Sequence, residues 1–258
     1  RVQANNGLSI LTFIHIRGQM ERQQKIFLVY HEMLNYNKDT LKDKTVVISG
    51  SGNVAQYSCE KATELGAKVI TLSDSSGFIH DPEGISKKKL DFVFHLKNTK
   101  RGRISEYAKK FGCKYYENKT PWGIKCDVAI PCATQNELTK SDAQLLVKNN
   151  CIAVCEGANM PCSIDAVDVF LKNKVLYAPG KASNAGGVAV SGLEMSQNSL
   201  RINWSRDEVN ERLKLIMSEI HQNCVKHGSG GEIVNYANGS NISGFIKVAD
   251  SMIDQGVV

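Results

Sequence analysis

The residues with the clearest chemical signature form the hexapeptide Gly50–Ala55, which reads Gly-Ser-Gly-Asn-Val-Ala. It follows an apolar run, Lys44–Ser49, and opens a stretch typical of a helix, Asn53–Leu65. A glycine-rich turn between a buried strand and a helix is the pattern that binds the pyrophosphate of a dinucleotide. The first glycine permits the tight turn, the second lets the backbone approach the phosphates, and the alanine allows close packing of helix against strand. The N–H groups at the start of the helix are free to bind phosphate.

A second group of polar residues follows the next predicted strand, Ala67–Ser73. Asp74 lies where an acidic residue holds the adenosine ribose, which favours NAD because a carboxylate repels a 2′-phosphate. Ser75 and Ser76 come next, and their hydroxyl groups suit a phosphate. Three basic residues lie on a segment that can fold over the same pocket: Lys97, Lys100 and Arg103. The residues alone therefore favour NADP and leave NAD possible.

The elements that must position these residues alternate between short apolar runs and amphipathic stretches. This alternation predicts an α/β fold, a Rossmann-like doubly wound sheet, with C-terminal helices. The right-handed crossover rule makes the sheet mostly parallel, with helices on both faces. A hairpin is expected at Ser76–Glu83, and further strands are predicted at Lys114–Glu117, Asp127–Pro131, Cys151–Cys155 and Val175–Ala178.

Helices are predicted at Ser86–Leu96, Ser105–Phe111, Ser141–Lys148 and Ser163–Leu171, with Ser141 as an N-cap. Ser205 begins a Ser-x-x-Glu capping box. Behind it an apolar stripe at helical spacing is expected to face the core: Val209, Leu213, Ile216, Met217, Ile220 and Cys224. The glycines after His227 end this helix, and a last helix is expected near Gly244–Met252.

The composition excludes several classes of protein. The chain has 258 residues with 42% hydrophobic and 22% charged residues, and a formal net charge of +6 that is mostly scattered, so no nucleic-acid partner is expected. None of its eight cysteines has the CxxC spacing of a zinc site, and no metal is expected. We expect reduced, mostly buried thiols in a cytoplasmic protein, because no secretory segment is found. No apolar run is long enough to cross a membrane.

Six runs together resemble the hexameric glutamate dehydrogenases of the NADP-linked microbial type. They occur in the same order as in that family and cover roughly Phe27–Val258. The runs are Val47–Gln56, Asp74–Gly77, Pro131–Glu137, Glu156–Pro161, Ala178–Glu194 and Gly239–Gly256.

The resemblance implies a role for each matching residue. The pyrophosphate loop corresponds to Gly50, Ser51, Gly52, Asn53 and Val54. Asp74 and Ser75 match contacts to the adenosine ribose and 2′-phosphate, and Lys97 and Arg103 match further contacts to the 2′-phosphate of NADP. The segment beside the nicotinamide ribose corresponds to Ala133, Thr134 and Gln135, with Asn159 in the same pocket.

The resemblance also assigns the nicotinamide and substrate side. Asn184 matches the residue that holds the nicotinamide carboxamide, with a plain helix N-cap as the alternative. Val188 and Ser191 match the positions that contact the glutamate side chain, with Ser191 donating to its distal carboxylate; a surface hydroxyl is the alternative for Ser191. Glu156 and Glu194 are interpreted as structural carboxylates.

The implied reaction is the NADP-dependent, reversible oxidative deamination of L-glutamate to 2-oxoglutarate and ammonia. The family places its catalytic lysine and aspartate in an N-terminal domain, for which Arg1–Gln24 shows no match. Residues 1–24 are therefore unassigned, and 25–258 are expected to form the NAD(P)-binding domain, with C-terminal helices from about residue 205. We expect no catalytic residue in this chain, and slow turnover by it alone. Full-length relatives are expected to be homohexamers.

One departure and two alternatives remain. The family's Arg-Pro-x-Ala-Thr-Gly-Tyr-Gly approach is replaced at Arg22–Tyr30, so that its nicotinamide-contacting threonine falls at Gln24. One alternative is a non-catalytic NAD(P)-binding module or inactive gene fragment. The other is a leucine-, valine- or phenylalanine-type dehydrogenase, which Ser191 disfavours because a hydroxyl suits a carboxylate better than an alkyl side chain.

Overall fold

The computed structural model describes residues 27–256, with only the backbone for 27–31. The predictions for residues 1–24, including Gln24, lie outside this part. Within it, strands β1 to β7 span Thr45–Ile48, Lys68–Asp74, Gly77–His80, Lys114–Glu117, Val128–Ile130, Ala153–Cys155 and Leu176–Ala178. Helices α1 to α10 span Phe27–Tyr36, Asn53–Glu64, Lys87–Phe94, Ser105–Phe111, Lys140–Lys148, Ile164–Lys172, Gly180–Ser183, Ala185–Leu200, Arg206–Gly228 and Tyr236–Asp254. A π-helical turn, His95–Thr99, directly follows α3.

The strands form one sheet in the order β4-β3-β2-β1-β5-β6-β7. The pairs β2–β1, β1–β5, β5–β6 and β6–β7 are parallel, which confirms the predicted doubly wound, mostly parallel α/β fold. The predicted hairpin is also confirmed, because β3 turns back antiparallel to β2 with Asp74 opposite Gly77. Strand β4 then pairs antiparallel with β3 at the sheet edge.

The apolar residues of the central strand divide between the two faces of the sheet. Val46 and Ile48 belong to one core cluster and Val47 to the other, as the alternation of side chains along a strand requires. The first cluster also includes Leu213, Met217 and Cys224 of α9, with Ile220 packed against it, so these four residues of the predicted apolar stripe face the core. The other two, Val209 and Ile216, are partly buried. This packing joins the C-terminal helices to the strand that precedes the glycine-rich turn.

Two helix starts differ from the predictions. Thr139, not Ser141, caps α5: its hydroxyl accepts from the N–H of Asp142, whose carboxylate accepts from the N–H of Thr139. The last helix begins at Tyr236, eight residues before the predicted start. A Cβ on Gly239 would overlap the carbonyl of Cys224, so this glycine permits close packing of α10 against α9 rather than ending a helix.

The capping box at Ser205 is confirmed. All eight cysteines are free, and seven of them are buried as predicted.

In the part of the chain that the structure describes, no group of three or more His, Cys, Asp or Glu residues is arranged to hold a metal ion. Over the same residues, no helix combines the length and the apolar character needed to cross a membrane.

Candidate dinucleotide site

The glycine-rich turn lies at the carboxyl end of β1 and is tightly fixed. Gly50 has a φ of +79°, and a Cβ there would lie 3.0 Å from the carbonyl oxygen of Cys132. Its N–H donates to the hydroxyl of Ser73 over 2.7 Å, which joins the turn to the end of β2. A side chain at this position would therefore meet both backbone strain and a close neighbour.

Gly52, the residue just before α2, is not crowded as Gly50 is. A Cβ built on Gly52 has nothing within 4 Å, so the space beside the helix start is open. Gly52 has no side chain that could cap the helix, and the first amides of a helix have no intrahelical partner. Ser51 is buried, Asn53 is exposed and Val54 is partly buried. Ala55 is fully buried, as close packing of the helix on the sheet requires.

Four of the residues predicted at the adenosine end meet at the end of β2. The guanidinium Nη1 of Arg103 donates to Ser75 Oγ over 2.7 Å. The Lys97 ammonium lies 3.5 Å from Asp74 Oδ2 and donates to the carbonyl of Gly102 over 2.9 Å. Ser75 and Arg103 are exposed, so two donors face solvent side by side.

Asp74 is engaged inside the protein. Its Oδ1 accepts from the N–H of Ser76 over 2.9 Å and its Oδ2 from the N–H of Ile104 over 2.8 Å, and the side chain is only 8% exposed. The ion pair with Lys97 compensates its charge. Asp74 thereby ties the segment that carries Arg103 to the end of β2. Lys100, the third predicted basic residue, is exposed.

The loop after β5 is organised by Glu137. Its Oε1 accepts from the hydroxyl of Ser49 and from the N–H of Ala133, each over 2.8 Å. Ser49 Oγ in turn accepts from the N–H of Cys132, so the loop is joined to the residue before Gly50. Burial raises the pKa of Glu137, and its hydrogen bonds oppose that rise. The three predicted residues of the loop are exposed beside this network: Ala133, Thr134 and Gln135.

The loop after β6 meets the start of α8. The side-chain amide of Asn184 donates to Asn159 Oδ1 over 2.7 Å, so the two predicted residues lie together. Asn184 precedes α8 without a side-chain capping bond, which contradicts the plain N-cap alternative. Glu156 is the structural carboxylate that we expected, because it is buried and accepts from the N–H groups of Gly180 and Cys162.

Val188 and Ser191 lie one turn apart on α8. Val188 is 79% exposed, and Ser191 is partly buried, with its hydroxyl 3.4 Å from the carbonyl of Gly187. The loops after β1, β2, β5, β6 and β7 share one edge of the sheet, where the carboxyl ends of parallel strands in such folds bind ligands.

Four residues whose hydrogen bonds shape the site were not predicted from the sequence: Ser73, Gln56, Asn98 and Glu137. Ser73 and Glu137 had a detectable signal, since each adjoins a strand end or loop that was already assigned. The contact between Gln56 and Asn98, 42 residues apart, depends on how the segment after α3 folds back, and no local pattern shows it.

The fold and the glycine-rich turn place the chain among the α/β proteins with a Rossmann-like, doubly wound sheet. The model of the family described as Glutamate/Leucine/Phenylalanine/Valine dehydrogenase matches residues 24–256, so the chain belongs to that family. This confirms the resemblance found in the sequence.

Individual relatives agree with this assignment. A Bacteroides thetaiotaomicron protein named glutamate dehydrogenase is 58% identical over 228 residues, 88% of this chain and 51% of the relative. A Haemophilus influenzae protein named NADP-specific glutamate dehydrogenase is 55% identical over 227 residues, 87% of this chain and 51% of the relative. The crystal structure of Plasmodium falciparum glutamate dehydrogenase matches with a TM-score of 0.87 at 43% identity, over 94% of this chain and 52% of that one. The chain thus spans about half the length of the curated relatives it matches.

Proposed function

We propose that this chain is the NADP(H)-binding half of an NADP-dependent glutamate dehydrogenase. One observation carries the proposal: the paired donors of Ser75 and Arg103 lie at the strand end next to an open helix start at Gly52. A dinucleotide with its pyrophosphate at the helix start directs its adenosine ribose to the end of the second strand. The donors there suit a 2′-phosphate, which NADP has and NAD lacks.

The residues present fit this cofactor. The space beside Gly52 admits a pyrophosphate, which the backbone from Gly50 to Val54 would bind. Arg103, Ser75 and Lys97 would hold the 2′-phosphate. Asp74 would act at the adenosine ribose mainly by fixing the neighbouring segment, because its oxygens already accept two backbone N–H groups.

The charge and exposure of the Asp74 carboxylate affect the preference between NADP and NAD. A free carboxylate at this position disfavours NADP by repelling the 2′-phosphate. Here Lys97 neutralises the charge, and 8% of the side chain is exposed, so the repulsion is weakened. This supports NADP as the cofactor, with NAD as the weaker ligand.

The remaining residues would serve the reacting end. When bound, NADP⁺ would supply the hydride acceptor for the oxidation of glutamate. Ala133, Thr134 and Gln135 would border its nicotinamide ribose, with Asn159 in the same pocket. Asn184, whose amide donates to Asn159, would hold the carboxamide. Val188 would contact the aliphatic part of glutamate, and Ser191 would donate to its distal carboxylate.

The activation of substrate would come from the other half of the enzyme. The family resemblance assigns to it the catalytic lysine and aspartate and the lysines that clamp the carboxylates of the substrates, glutamate and 2-oxoglutarate, with ammonium as the third small-molecule reactant. A general acid or base contributes about 100- to 10,000-fold to a rate, so the chain alone should be very slow. We propose residues 25–258 as the cofactor domain, and a homohexamer for the complete protein.

A chimeric enzyme tests this function. Residues 24–256 would replace the matching half of the Haemophilus influenzae relative, and glutamate-dependent NADPH formation would be followed by absorbance. We expect the chimera to reduce NADP⁺ and the isolated chain to be very slow. The same chimera with Lys97→Ala and Arg103→Ala is the control and should lose its preference for NADP⁺. A folded chimera that oxidises no glutamate with either cofactor would contradict the proposal and favour a non-catalytic binding module.

A further inference from the structure

Gln56, in the first turn of α2, is a glutamine with no exposed surface. Its Nε2 donates to the carbonyl of Ser51 over 2.7 Å and to Asn98 Oδ1 over 3.2 Å. Its Oε1 accepts from Asn98 Nδ2 over 3.1 Å. Both amide hydrogens and the oxygen are therefore used, and a buried amide in this condition has one fixed orientation.

Asn98 belongs to the π-helical turn His95–Thr99. Such turns are rare and occur frequently at functional sites. The same turn carries Lys97, and the chain then folds back, because the N–H of Gly102 donates to the carbonyl of Leu96 over 2.9 Å. This fold places Arg103 next to Ser75.

Residues 95–104 are thus held at two ends by different elements. Asp74 at the end of β2 holds the far end through the N–H of Ile104. The near end is held to α2 by the amide pair of Gln56 and Asn98. The amide pair also contacts the glycine-rich turn, through the carbonyl of Ser51, so it links the two places where phosphates would lie.

We propose that the Gln56–Asn98 amide pair is a positioning device that sets the preference for NADPH over NADH. It fixes the basic segment 95–104 relative to the pyrophosphate loop, so that Lys97 and Arg103 need no reordering when a 2′-phosphate arrives. Preorganised donors bind more tightly because less conformational entropy is lost on binding. NADH has no 2′-phosphate, so the ordered segment does not increase the affinity for NADH. The inference rests on the proposed function.

The substitution Asn98→Ala tests the inference. Asn98 is exposed and Leu96 keeps its buried anchor, so the variant should fold. Calorimetric titration with NADPH and with NADH should show the affinity ratio falling roughly 5- to 10-fold, the effect of one or two ordinary hydrogen bonds. Thr99→Ala, at the exposed neighbour in the same turn, is the matched control and should leave the ratio unchanged. A ratio that Asn98→Ala leaves unchanged would overturn the inference.

A second measurement separates positioning from a direct contact or a general loss of structure. The substitution Asn98→Ala is added to a chain that already carries Lys97→Ala and Arg103→Ala. If the amide pair acts through those two residues, Asn98→Ala should produce no further fall in the ratio. The same fold-change in both backgrounds would show that Asn98 acts independently of them and would overturn the positioning role.

Binding to the unsubstituted chain distinguishes failure of the proposed cofactor from failure of the positioning role. An unsubstituted chain that binds NADPH no more tightly than NADH overturns the proposed cofactor, and this inference with it. An unsubstituted chain that selects NADPH, with an unchanged ratio in Asn98→Ala, overturns the inference and leaves the proposed function standing.

Discussion

Arg103 and Ser75, 28 residues apart in the chain, meet where the guanidinium donates to the serine hydroxyl over 2.7 Å. Two exposed donors in contact have the chemistry that suits a phosphate, as the proposed function requires. Their contact depends on Asp74, which holds the next residue after Arg103 by its backbone N–H. Under the proposed function, selectivity for a 2′-phosphate would therefore depend on Asp74, a carboxylate that need not contact the phosphate.

Arg103→Ala should weaken NADPH binding about 10- to 100-fold, because a hydrogen bond to a charged group is worth ~1.5–3 kcal/mol. NADH binding should change little, since NADH has no 2′-phosphate. Calorimetric titration measures both constants. Lys109→Ala removes a charge from an exposed position on α4 that has no predicted contact with the cofactor, and it is the matched control. Equal loss of both cofactors would mean that Arg103 does not serve the 2′-phosphate.

Substitution by alanine should affect stability and cofactor binding differently at the two glycines of the turn, Gly50 and Gly52. Gly52→Ala should leave stability nearly unchanged, because nothing lies within 4 Å of the added Cβ, yet weaken NADPH and NADH alike. Gly50→Ala should lower the free energy of unfolding by about 1–2 kcal/mol, since its φ of +79° is strained for alanine. Urea unfolding and cofactor titration of both variants check this. Normal cofactor binding by a folded Gly52→Ala chain would contradict the prediction that the pyrophosphate binds beside Gly52.

Much of this arrangement was predictable from local sequence. The turn at Gly50 and the burial of Ala55 follow from residue type and spacing, and the parallel strands follow from the crossover rule. The hydrogen bonds of Asp74 and Gln56 were not predictable, because each joins elements distant in the chain. The start of α10 was misjudged for a related reason: Gly239 is needed for contact with Cys224, and a sequence pattern does not show tertiary packing.

Glu156→Ala should be among the most destabilising single changes at this edge of the sheet. The carboxylate is 3% exposed and accepts from the N–H groups of Gly180 and Cys162. Each buried N–H left without a partner costs ~1–3 kcal/mol, so the free energy of unfolding should fall by at least about 2 kcal/mol. Chemical denaturation measures this, with the exposed Glu83→Ala as the control. A loss no larger than that of the control would show that the two amides find other partners.

The pH dependence of stability should carry a contribution from Glu137. Burial raises the pKa of this carboxyl above its ordinary value of 4.5, so the folded protein holds the proton more tightly than the unfolded chain. Its contribution to the free energy of unfolding is therefore greatest below that value and is lost as the pH rises through the raised pKa. Glu137→Gln should be least stable relative to the unsubstituted chain at about pH 4 and should gain relative stability toward about pH 7.

Urea unfolding of both proteins across this range provides the measurement. Glu83→Gln, at an exposed carboxylate, corrects for the change in net charge. The free energies of unfolding of Glu137→Gln and of the unsubstituted chain should differ by an amount that changes with pH. A difference that stays constant after this correction would contradict a raised pKa for Glu137.

Calorimetric titration of the 258-residue chain with NADPH and, separately, with NADH tests whether this chain binds and selects NADP(H). Our account predicts saturable binding of NADPH and distinctly weaker binding of NADH, because the Ser75–Arg103 pair has a phosphate to bind only in NADPH. Binding of neither, or equal affinity for both, would contradict the claim that this chain is the NADP(H)-selective half of the enzyme.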